Sequence, residues 1–196
     1  MKPGTTVRVI ATMFAAAGCL LSASTAANAA PSNTDGARAN YKGNSINLAE
    51  SWSDAKACVV FSAQDVRCYA TTAEADKASG YNVKTDRLLK AVRINGGPVK
   101  AAAVPACASG WLCIFEHING GGKRLIFQDE YEQDLAPYGF DYKLSSWRNN
   151  QGSKDNAFMF RWQYPTVTKV QGMLSPDAYA SNVGNTWNDE VVSIQG

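Results

Sequence analysis

The chain of 196 residues contains a single histidine, His117, and this scarcity excludes several classes of enzyme. A zinc site of the HExxH type needs two histidines and therefore does not exist here. One histidine could still serve in a catalytic triad, but the sequence has no GxSxG motif to supply the nucleophile. We therefore predict that the protein is not an enzyme.

An excess of charge of one sign is also lacking. The chain has 19 Lys and Arg residues against 17 Asp and Glu residues, and removal of a leader that contains Lys2 and Arg8 would make the two counts equal. Nucleic acids and anionic membranes are bound by clustered Lys and Arg side chains. We therefore expect neither nucleic acid nor membrane as a partner.

Long apolar runs are absent except at the N-terminus. After Lys2 and Arg8 the chain is almost entirely apolar or small as far as Leu21, and Ala27-Asn28-Ala29 has the small-x-small pattern of a cleavage site. The run is shorter than the roughly 20 residues that span a bilayer. These features predict a signal peptide over 1–29 and a secreted, extracellular protein.

The chain has only five cysteines, so the possible disulfide pairings can be compared one by one. Cys19 lies inside the leader, where it offers a lipoprotein signal as an alternative, and cleavage would leave four. An even number of closely spaced cysteines in an exported chain indicates disulfides, and we prefer Cys58 with Cys68 and Cys107 with Cys113 among the three possible pairings. A four-cysteine zinc site is the other alternative, but the spacing is not the usual CxxC-like one.

The first half of the mature chain divides into three predicted segments. Residues 30–52 are polar, with few large apolar side chains, and are predicted to be a flexible segment. Residues 53–99 are predicted to be a small α+β region, in which two β-prone runs with one cysteine each form a hairpin and Thr71 with Glu74 begins a helix as a capping box. Residues 100–106 are small and featureless and are predicted to be a linker.

Residues 107–196 consist of short aromatic or β-branched runs, separated at roughly ten-residue intervals by polar, glycine-rich turns. This pattern predicts an antiparallel sandwich or barrel. A weak internal repeat is present, because Phe115 precedes Ser146 by 31 residues and Phe160 precedes Ser193 by 33. Two such copies would pair their sheets around one core.

The same part of the chain carries a resemblance to a known family. The segments CASGWLCIFEHINGGGKRLIF at 107–127 and GFDYKLSSWRNN at 139–150 resemble the actinomycete (Streptomyces-type) metalloproteinase inhibitor family. That family has a βγ-crystallin-like Greek-key fold. The resemblance implies a mainly β protein, in which a sandwich of two repeats over 107–196 follows the small disulfide-stapled hairpin and helix region.

Four residues match structural positions of this family. Phe115 and Gly122 reproduce the crystallin signature of an aromatic residue, six further residues and a glycine, and the glycine allows a positive φ where the first hairpin folds back. Ser146 stands where the family places a serine whose hydroxyl bonds the hairpin backbone, and Ser193 is its counterpart in the second copy. The second copy departs from the signature, because Val167 replaces the glycine.

Calcium is the one cofactor that the resemblance makes possible. Crystallin-type sites have the pattern Asn/Asp-Asn/Asp-x-x-Ser/Thr-Ser, which supplies hard oxygen ligands. The first copy keeps Asp141 and Ser145 but has a tyrosine at the second position, and the second copy keeps Asn188 and Asp189 but has a valine at the hydroxyl position. Each copy is therefore expected to lose one oxygen, and a turn that holds no metal is the alternative.

The resemblance implies a secreted inhibitor of metalloproteases that acts through a rigid, substrate-like loop on the disulfide-tied scaffold. The partner would be an extracellular protease, and the protein is expected to be a monomer. No sequence pattern identifies the inhibitory loop; residues 163–173 and 128–138 are both candidates, and the second carries the acidic residues Asp129, Glu130, Glu132 and Asp134. A calcium-binding or structural module without inhibitory activity is the alternative function.

Overall fold

The computed structural model describes residues 36–94 and 104–196. The predicted signal peptide over 1–29 lies outside the described residues, as does most of the predicted linker over 100–106. No helix in the described part of the chain is long and apolar enough to cross a membrane.

The described residues form twelve β-strands and two α-helices. The strands are β1 (Arg38–Tyr41), β2 (Asn44–Asn47), β3 (Ala57–Ser62), β4 (Asp65–Tyr69), β5 (Trp111–His117), β6 (Gly121–Phe127), β7 (Glu132–Asp134), β8 (Ser146–Asn150), β9 (Ala157–Gln163), β10 (Thr168–Leu174), β11 (Ala178–Ala180) and β12 (Val191–Gln195). The helices are α1 (Thr72–Ser79) and α2 (Arg87–Ile94).

The strands form two sheets. The first sheet has eight strands in the order β11-β8-β5-β6-β3-β4-β1-β2, and the second has four in the order β10-β9-β12-β7. Neighbouring strands are antiparallel, except that β3 pairs with β6 and β1 with β4 in parallel. The prediction of a mainly β fold is confirmed.

The C-terminal half has the doubled organisation that the sequence repeat predicts. Strands β5 to β8 form a first motif, and β9 to β12 form a second in the same order. In each motif the third strand joins the other motif's sheet, because β7 pairs with β12 in the second sheet and β11 pairs with β8 in the first. Each motif thus contributes one strand to the sheet of the other motif, and the two motifs form one Greek-key sandwich.

Apolar side chains from both sheets fill the space between them. Leu112 and Ile114 of β5 are buried in this core together with Met159 and Ile194 of the second sheet. Burying one such side chain fully stabilises a protein by roughly 1.5–3 kcal/mol. The core that joins the two sheets therefore stabilises the doubled motif.

The first sheet is also covered on its opposite face. Trp111, Cys113 and Phe115 alternate with the core residues of β5 and pack with Ala75 of α1 in a second buried cluster. A strand that is buried on both faces needs a continuous apolar run rather than an alternating one. This explains the unbroken sequence WLCIF at the start of β5.

The N-terminal strands extend the Greek-key sheet, because β3 lies between β6 and β4. Strands β1 and β2 form where the sequence predicts a flexible segment over 30–52, and that prediction is wrong for these strands. Ala39, Tyr41 and Leu48 are buried there. The segment has few apolar residues but alternates them with exposed polar ones, and a four-residue alternation is too short to stand out from a polar composition.

Both disulfides lie where the sequence predicts them. Cys58 and Cys68 face each other across β3 and β4 and are bonded, and Cys107 is bonded to Cys113. The two preferred pairings are therefore confirmed. They exclude the alternative in which these four thiols bind zinc.

Helix α1 begins at the predicted capping box. The Thr71 hydroxyl accepts a hydrogen bond from the Glu74 backbone N–H, and the Glu74 carboxylate accepts one from the Thr71 backbone N–H. Gly80 ends the helix in a left-handed conformation with a φ of +79°.

Two buried arginines attach the helical region to the first sheet. Arg124 donates a hydrogen bond to Asp76 of α1 at 2.7 Å. Arg148 donates one to Asp86, just before α2, at 2.7 Å and another to the carbonyl of Pro105. Both arginines are no more than 2% exposed. Removing one partner of such a buried pair leaves an uncompensated charge, so these contacts fix where the helices lie.

Candidate functional site

Each motif begins with a hairpin, and different contacts fix the two hairpins in place. In the first, between β5 and β6, the Ser146 hydroxyl donates a hydrogen bond to the carbonyl of His117 at 2.6 Å and accepts one from the backbone N–H of Gly120 at 3.0 Å. A short 3₁₀ turn over Ile118–Gly120 lies at the tip. The first hairpin is therefore tied back onto strand β8.

The other two signature residues of the first motif lie close to this hairpin. Gly122 has a φ of +72°, and a Cβ atom there would lie 2.8 Å from the side chain of Glu116. Phe115 is buried in the cluster between the first sheet and α1. These positions shape the first hairpin and leave it little room to project from the molecule.

The second hairpin, between β9 and β10, has no such tie to its own serine. Ser193 corresponds to Ser146, but its hydroxyl donates to the Glu132 carboxylate of β7 at 2.5 Å. The pairing of β9 with β10 is regular up to Gln163 and Thr168, without the register shift of the first hairpin. The second hairpin therefore does not fold back over the sandwich.

The tip of the second hairpin is open to solvent. Tyr164 is 71% exposed and Val167 is 59% exposed. Val167 has a φ of +50°, which is unusual for a β-branched residue. Strained backbone of this kind clusters at sites where a protein presents a fixed shape to a ligand.

A row of contacts crosses the outer face of the second sheet and holds this hairpin. Lys169 of β10 pairs with Glu132 of β7 and lies 5.6 Å from the ring centres of Phe160 and Trp162 of β9. The hydrogen bond from Lys169 lowers the pKa of the Glu132 carboxyl group, and the hydrogen bond from Ser193 lowers it further by a smaller amount. These contacts connect all four strands of the sheet.

Strand β10 forms one edge of the second sheet. Its outward side chains include Lys169, Gln171 and Met173, of which Met173 is 59% exposed. An edge strand presents backbone N–H and C=O groups with which an extended peptide segment can pair. The hairpin thus combines an exposed tip with an accessible strand edge.

The other predicted loop, over 128–138, is fixed by the surrounding structure. Leu135 is fully buried, and the Trp52 indole N–H donates to the carbonyl of Tyr138 at 2.8 Å. The Tyr138 hydroxyl donates to Gln133, and burial raises the pKa of Tyr138 to about 12. Much of this loop therefore supports the core.

Three of the four predicted calcium ligands meet between the two motifs. The Ser145 hydroxyl donates to the carbonyl of Glu116 at 2.8 Å and lies 3.5 Å from a carboxylate oxygen of Asp189. The side-chain amide of Asn188 donates to the other Asp189 oxygen at 2.8 Å. Hydroxyl, carbonyl and carboxylate oxygens are the donors that calcium prefers. Asp141 belongs to the corresponding loop of the first motif and is not part of this group of hydrogen bonds.

The two loops exchange backbone hydrogen bonds across the sandwich. The N–H of Tyr142 donates to the carbonyl of Val191 at 2.9 Å, and the N–H of Asp189 donates to the carbonyl of Leu144 at 3.2 Å. Tyr142 and Asp189 have nearly equal φ angles of +56° and +57°. The two loops are therefore related by approximate two-fold symmetry. Each candidate calcium site is formed by residues of both motifs.

This exchange corrects the expectation that each copy loses one oxygen. Ser145 and Asp189 lie at the same site, which keeps both side-chain oxygens. The counterpart positions, Tyr142 and Val192, supply neither of these oxygens, and the N–H of Tyr142 donates to the carbonyl of Val191, next to Val192. Among the residues described by the structure, no group of three or more His, Cys, Asp and Glu side chains could hold a metal ion, so the retained donors are a hydroxyl, a carbonyl and one carboxylate.

Comparison with known proteins agrees with the resemblance seen in the sequence. Residues 100–161 match the family described as peptidase inhibitor family I36. No curated protein matches the chain. The family match supports a peptidase inhibitor as the class of this protein, and it implies a peptidase as the partner.

Solved structures that resemble the chain include βγ-crystallin domains. One, from a study of the evolution of the eye lens βγ-crystallin domain fold, is 18% identical, with a TM-score of 0.39, and the match covers 47% of this chain and 90% of that one. A βγ-crystallin domain from Clostridium beijerinckii is 19% identical, with a TM-score of 0.33 and coverage of 43% and 94%. The N-terminal domain of protein S is 19% identical, with a TM-score of 0.33 and coverage of 43% and 92%.

Proposed function

We propose that the protein is a secreted inhibitor of metallopeptidases that presents the β9–β10 hairpin, residues 163–173, to its target. The observation that carries this proposal is the difference between the two hairpins. The first is tied back by Ser146, whereas the second projects with Tyr164 and Val167 exposed. The choice of metallopeptidases follows from the sequence resemblance.

The surrounding structure suits the hairpin to this task. An inhibitor gains affinity when its contact segment is ordered before binding, because less conformational entropy is lost on association. Strand β9 pairs with β12 behind the hairpin, and Lys169 fastens β10 to Glu132 on the far side of the sheet. The two disulfides further limit the freedom of the scaffold.

Titration of a thermolysin-type metallopeptidase with the mature protein tests this function. We expect inhibition that is weakened by at least about tenfold in Tyr164→Ala, the loss expected for an exposed aromatic contact residue. Ile118→Ala is the matched control, because Ile118 is 48% exposed at the tip of the first hairpin. Titration of a serine peptidase such as subtilisin tests whether the inhibition is selective for metallopeptidases.

The absence of inhibition of any peptidase at micromolar protein would contradict the proposed function. Equal weakening by Tyr164→Ala and Ile118→Ala would instead contradict the assignment of the contact segment. The two results are independent, because the first concerns the activity and the second concerns its location.

Calcium binding is a second candidate function, and the meeting of Ser145 with Asp189 favours it. Ser145, the Glu116 carbonyl and Asp189 would hold one calcium ion, which would link the two motifs. A native-state ligand raises the apparent stability of a protein, so calcium should raise its melting temperature. Calorimetric titration should give one site per chain.

Two substitutions separate this site from its counterpart. Asp189→Asn should abolish the calcium-dependent shift in melting temperature, whereas Asp141→Asn should leave it unchanged. Two sites per chain, or equal sensitivity to both substitutions, would contradict the assignment of a single retained site. An unchanged melting temperature at millimolar calcium would contradict calcium binding altogether.

A further inference from the structure

One end of the second sheet gathers loops from both motifs. Strand β9 ends at Gln163, β10 begins at Thr168, β12 begins at Val191 and β7 ends at Asp134. Antiparallel pairing places these four points at the same end of the sheet. The hydrogen bond from Tyr142 to Val191 brings the loop of the first motif to this end as well.

This end of the sheet carries exposed aromatic and acidic side chains. Tyr142 is 46% exposed and Tyr164 is 71% exposed. Tyr164 follows the end of β9 and Asp134 ends β7, while Asp141 precedes Tyr142 and Glu190 precedes Val191, the two residues that this hydrogen bond joins. The pKa of Tyr142 is raised, first by partial desolvation and then by the Tyr164 hydroxyl and the three carboxylates, in agreement with this placement. Tyr142, Tyr164, Asp134, Asp141 and Glu190 therefore lie at this end of the sheet. We call these five residues the acidic rim.

Little positive charge opposes the three carboxylates of the acidic rim. Within the described residues, none of the three takes part in an ion pair. Lys143, on the same loop as Tyr142, keeps its positive charge while it donates to the carbonyl of Gly139 at 2.6 Å, so one ammonium group on this loop stands against three carboxylates. Lys169 is paired with Glu132. The rim is therefore a local negative surface on a chain whose total charge is almost balanced.

We propose that the acidic rim docks on a basic surface patch of the target peptidase, with Tyr142 and Tyr164 as aromatic anchors. This inference rests on the proposed inhibitory function and adds the chemistry of the partner. Charge complementarity selects this partner, because three unpaired carboxylates around two exposed tyrosines match a surface that carries Lys and Arg. Tyrosine and arginine are residues that concentrate binding energy at protein interfaces.

The two parts of the rim should affect different rate constants. Carboxylates that face a basic surface attract it over a distance, so they raise the association rate constant and make it fall with ionic strength. The tyrosines make short-range contacts, so their removal should mainly raise the dissociation rate constant.

The test compares association rate constants for an inhibited metallopeptidase at several ionic strengths and a fixed calcium concentration. The triple variant Asp134→Asn, Asp141→Asn, Glu190→Gln should associate about tenfold more slowly at low salt and should show a flatter dependence on salt. Asparagine at 134 keeps the oxygen that accepts the Ala136 N–H, so the loop is preserved. Glu50→Gln with Asp54→Asn, in the loop after β2, is the control and should change neither property.

An association rate that the triple variant leaves unchanged, or that the control slows equally, would overturn the docking proposal while inhibition itself persists. If the wild-type protein inhibits no peptidase, the proposed function fails, and a surface coated with poly-L-lysine serves as the basic probe. Retention of the wild type and of the control at low salt, with loss in the triple variant, would support the rim as a docking surface for basic proteins. Equal retention of all three proteins would overturn it.

Discussion

Val167 in the second hairpin has the left-handed backbone conformation that Gly122 has in the first, with φ angles of +50° and +72°. Glycine adopts this conformation freely, whereas a residue with a Cβ atom does so at a cost of about 1–2 kcal/mol. Val167 is also exposed, so burial of its side chain offsets little of that cost. The hairpin that we assign to peptidase contact therefore carries a strained residue at its tip.

Replacement of this residue by glycine should stabilise the protein. Val167→Gly relieves the strain, and we expect the free energy of unfolding in urea to rise by about 1 kcal/mol. Val170→Gly is the matched control, because Val170 lies partly buried in the extended strand β10, where glycine should lower that free energy by at least about 0.5–1 kcal/mol. Destabilisation by both substitutions would contradict strain at position 167.

The buried ion pair between Arg148 and Asp86 should be sensitive to loss of its acid. Asp86→Ala leaves the Arg148 guanidinium buried without its counter-ion, and we expect the free energy of unfolding to fall by about 3–5 kcal/mol. Asp65→Ala removes the acid from the exposed pair with Arg67 and should have a much smaller effect, because solvent screens that pair. Urea denaturation of both variants measures the difference.

If Asp86→Ala does not fold, Asp86→Asn provides the same comparison. The amide keeps an oxygen for the Leu89 backbone N–H but removes the charge, so the loss should lie between those of the other two variants. Equal stability of the Asp86 and Asp65 variants would contradict a structural role for the buried pair.

Stability in acid should depend on Glu132. The pKa of this carboxyl group is lowered from 4.5 in the folded protein, first by Lys169, so the ionised group stabilises the fold above that value. This contribution is lost as the pH falls through the lowered pKa. Because the pair is partly exposed, we expect an effect below about 1 kcal/mol.

The Glu132→Gln variant tests this dependence. Its free energy of unfolding should decline less than that of the wild type between about pH 5 and about pH 3, because it has no carboxylate to protonate. Glu50→Gln, away from the second sheet, should follow the wild type. Parallel declines in the wild type and in Glu132→Gln would show that the pair with Lys169 contributes nothing.

The N-terminal region should be required for a stable Greek-key sandwich. Without residues 36–94, strand β6 loses its pairing with β3, and Trp111 and Phe115 lose the cover of α1. We expect a fragment of residues 104–196 to bind a hydrophobic dye and to give poorly dispersed amide NMR signals, whereas residues 36–196 give a dispersed spectrum. A well-dispersed spectrum of the shorter fragment would contradict this requirement.

Local features of the fold could be predicted from the sequence because neighbouring residues determine them. The hairpin with Cys58 and Cys68 and the capping box at Thr71 depend on contacts within a few residues, and both are present. The resemblance and the turn spacing also predicted the doubled β-sandwich. The parallel pairing of β3 with β6, which continues the sheet into the N-terminal region, depends on distant segments and left no local pattern.

In the candidate sites, too, the sequence predicted the residue types, whereas contacts between distant segments could be seen only in the folded chain. The sequence identified Ser145 and Asp189 as oxygen donors, but only the exchange of loops between motifs shows that they share one site. It offered both 163–173 and 128–138 as inhibitory loops and did not identify which one is used. The burial of Leu135 and Tyr138 is the reason that we propose residues 163–173, and burial is a property of the folded chain.

Hydrogen exchange of the protein in complex with an inhibited metallopeptidase tests the central claim most directly. We predict that backbone amides in residues 163–173 become protected on binding, while those at Ile118–Gly120 in the first hairpin do not change. Protection of the first hairpin, with unchanged exchange across residues 163–173, would contradict the account.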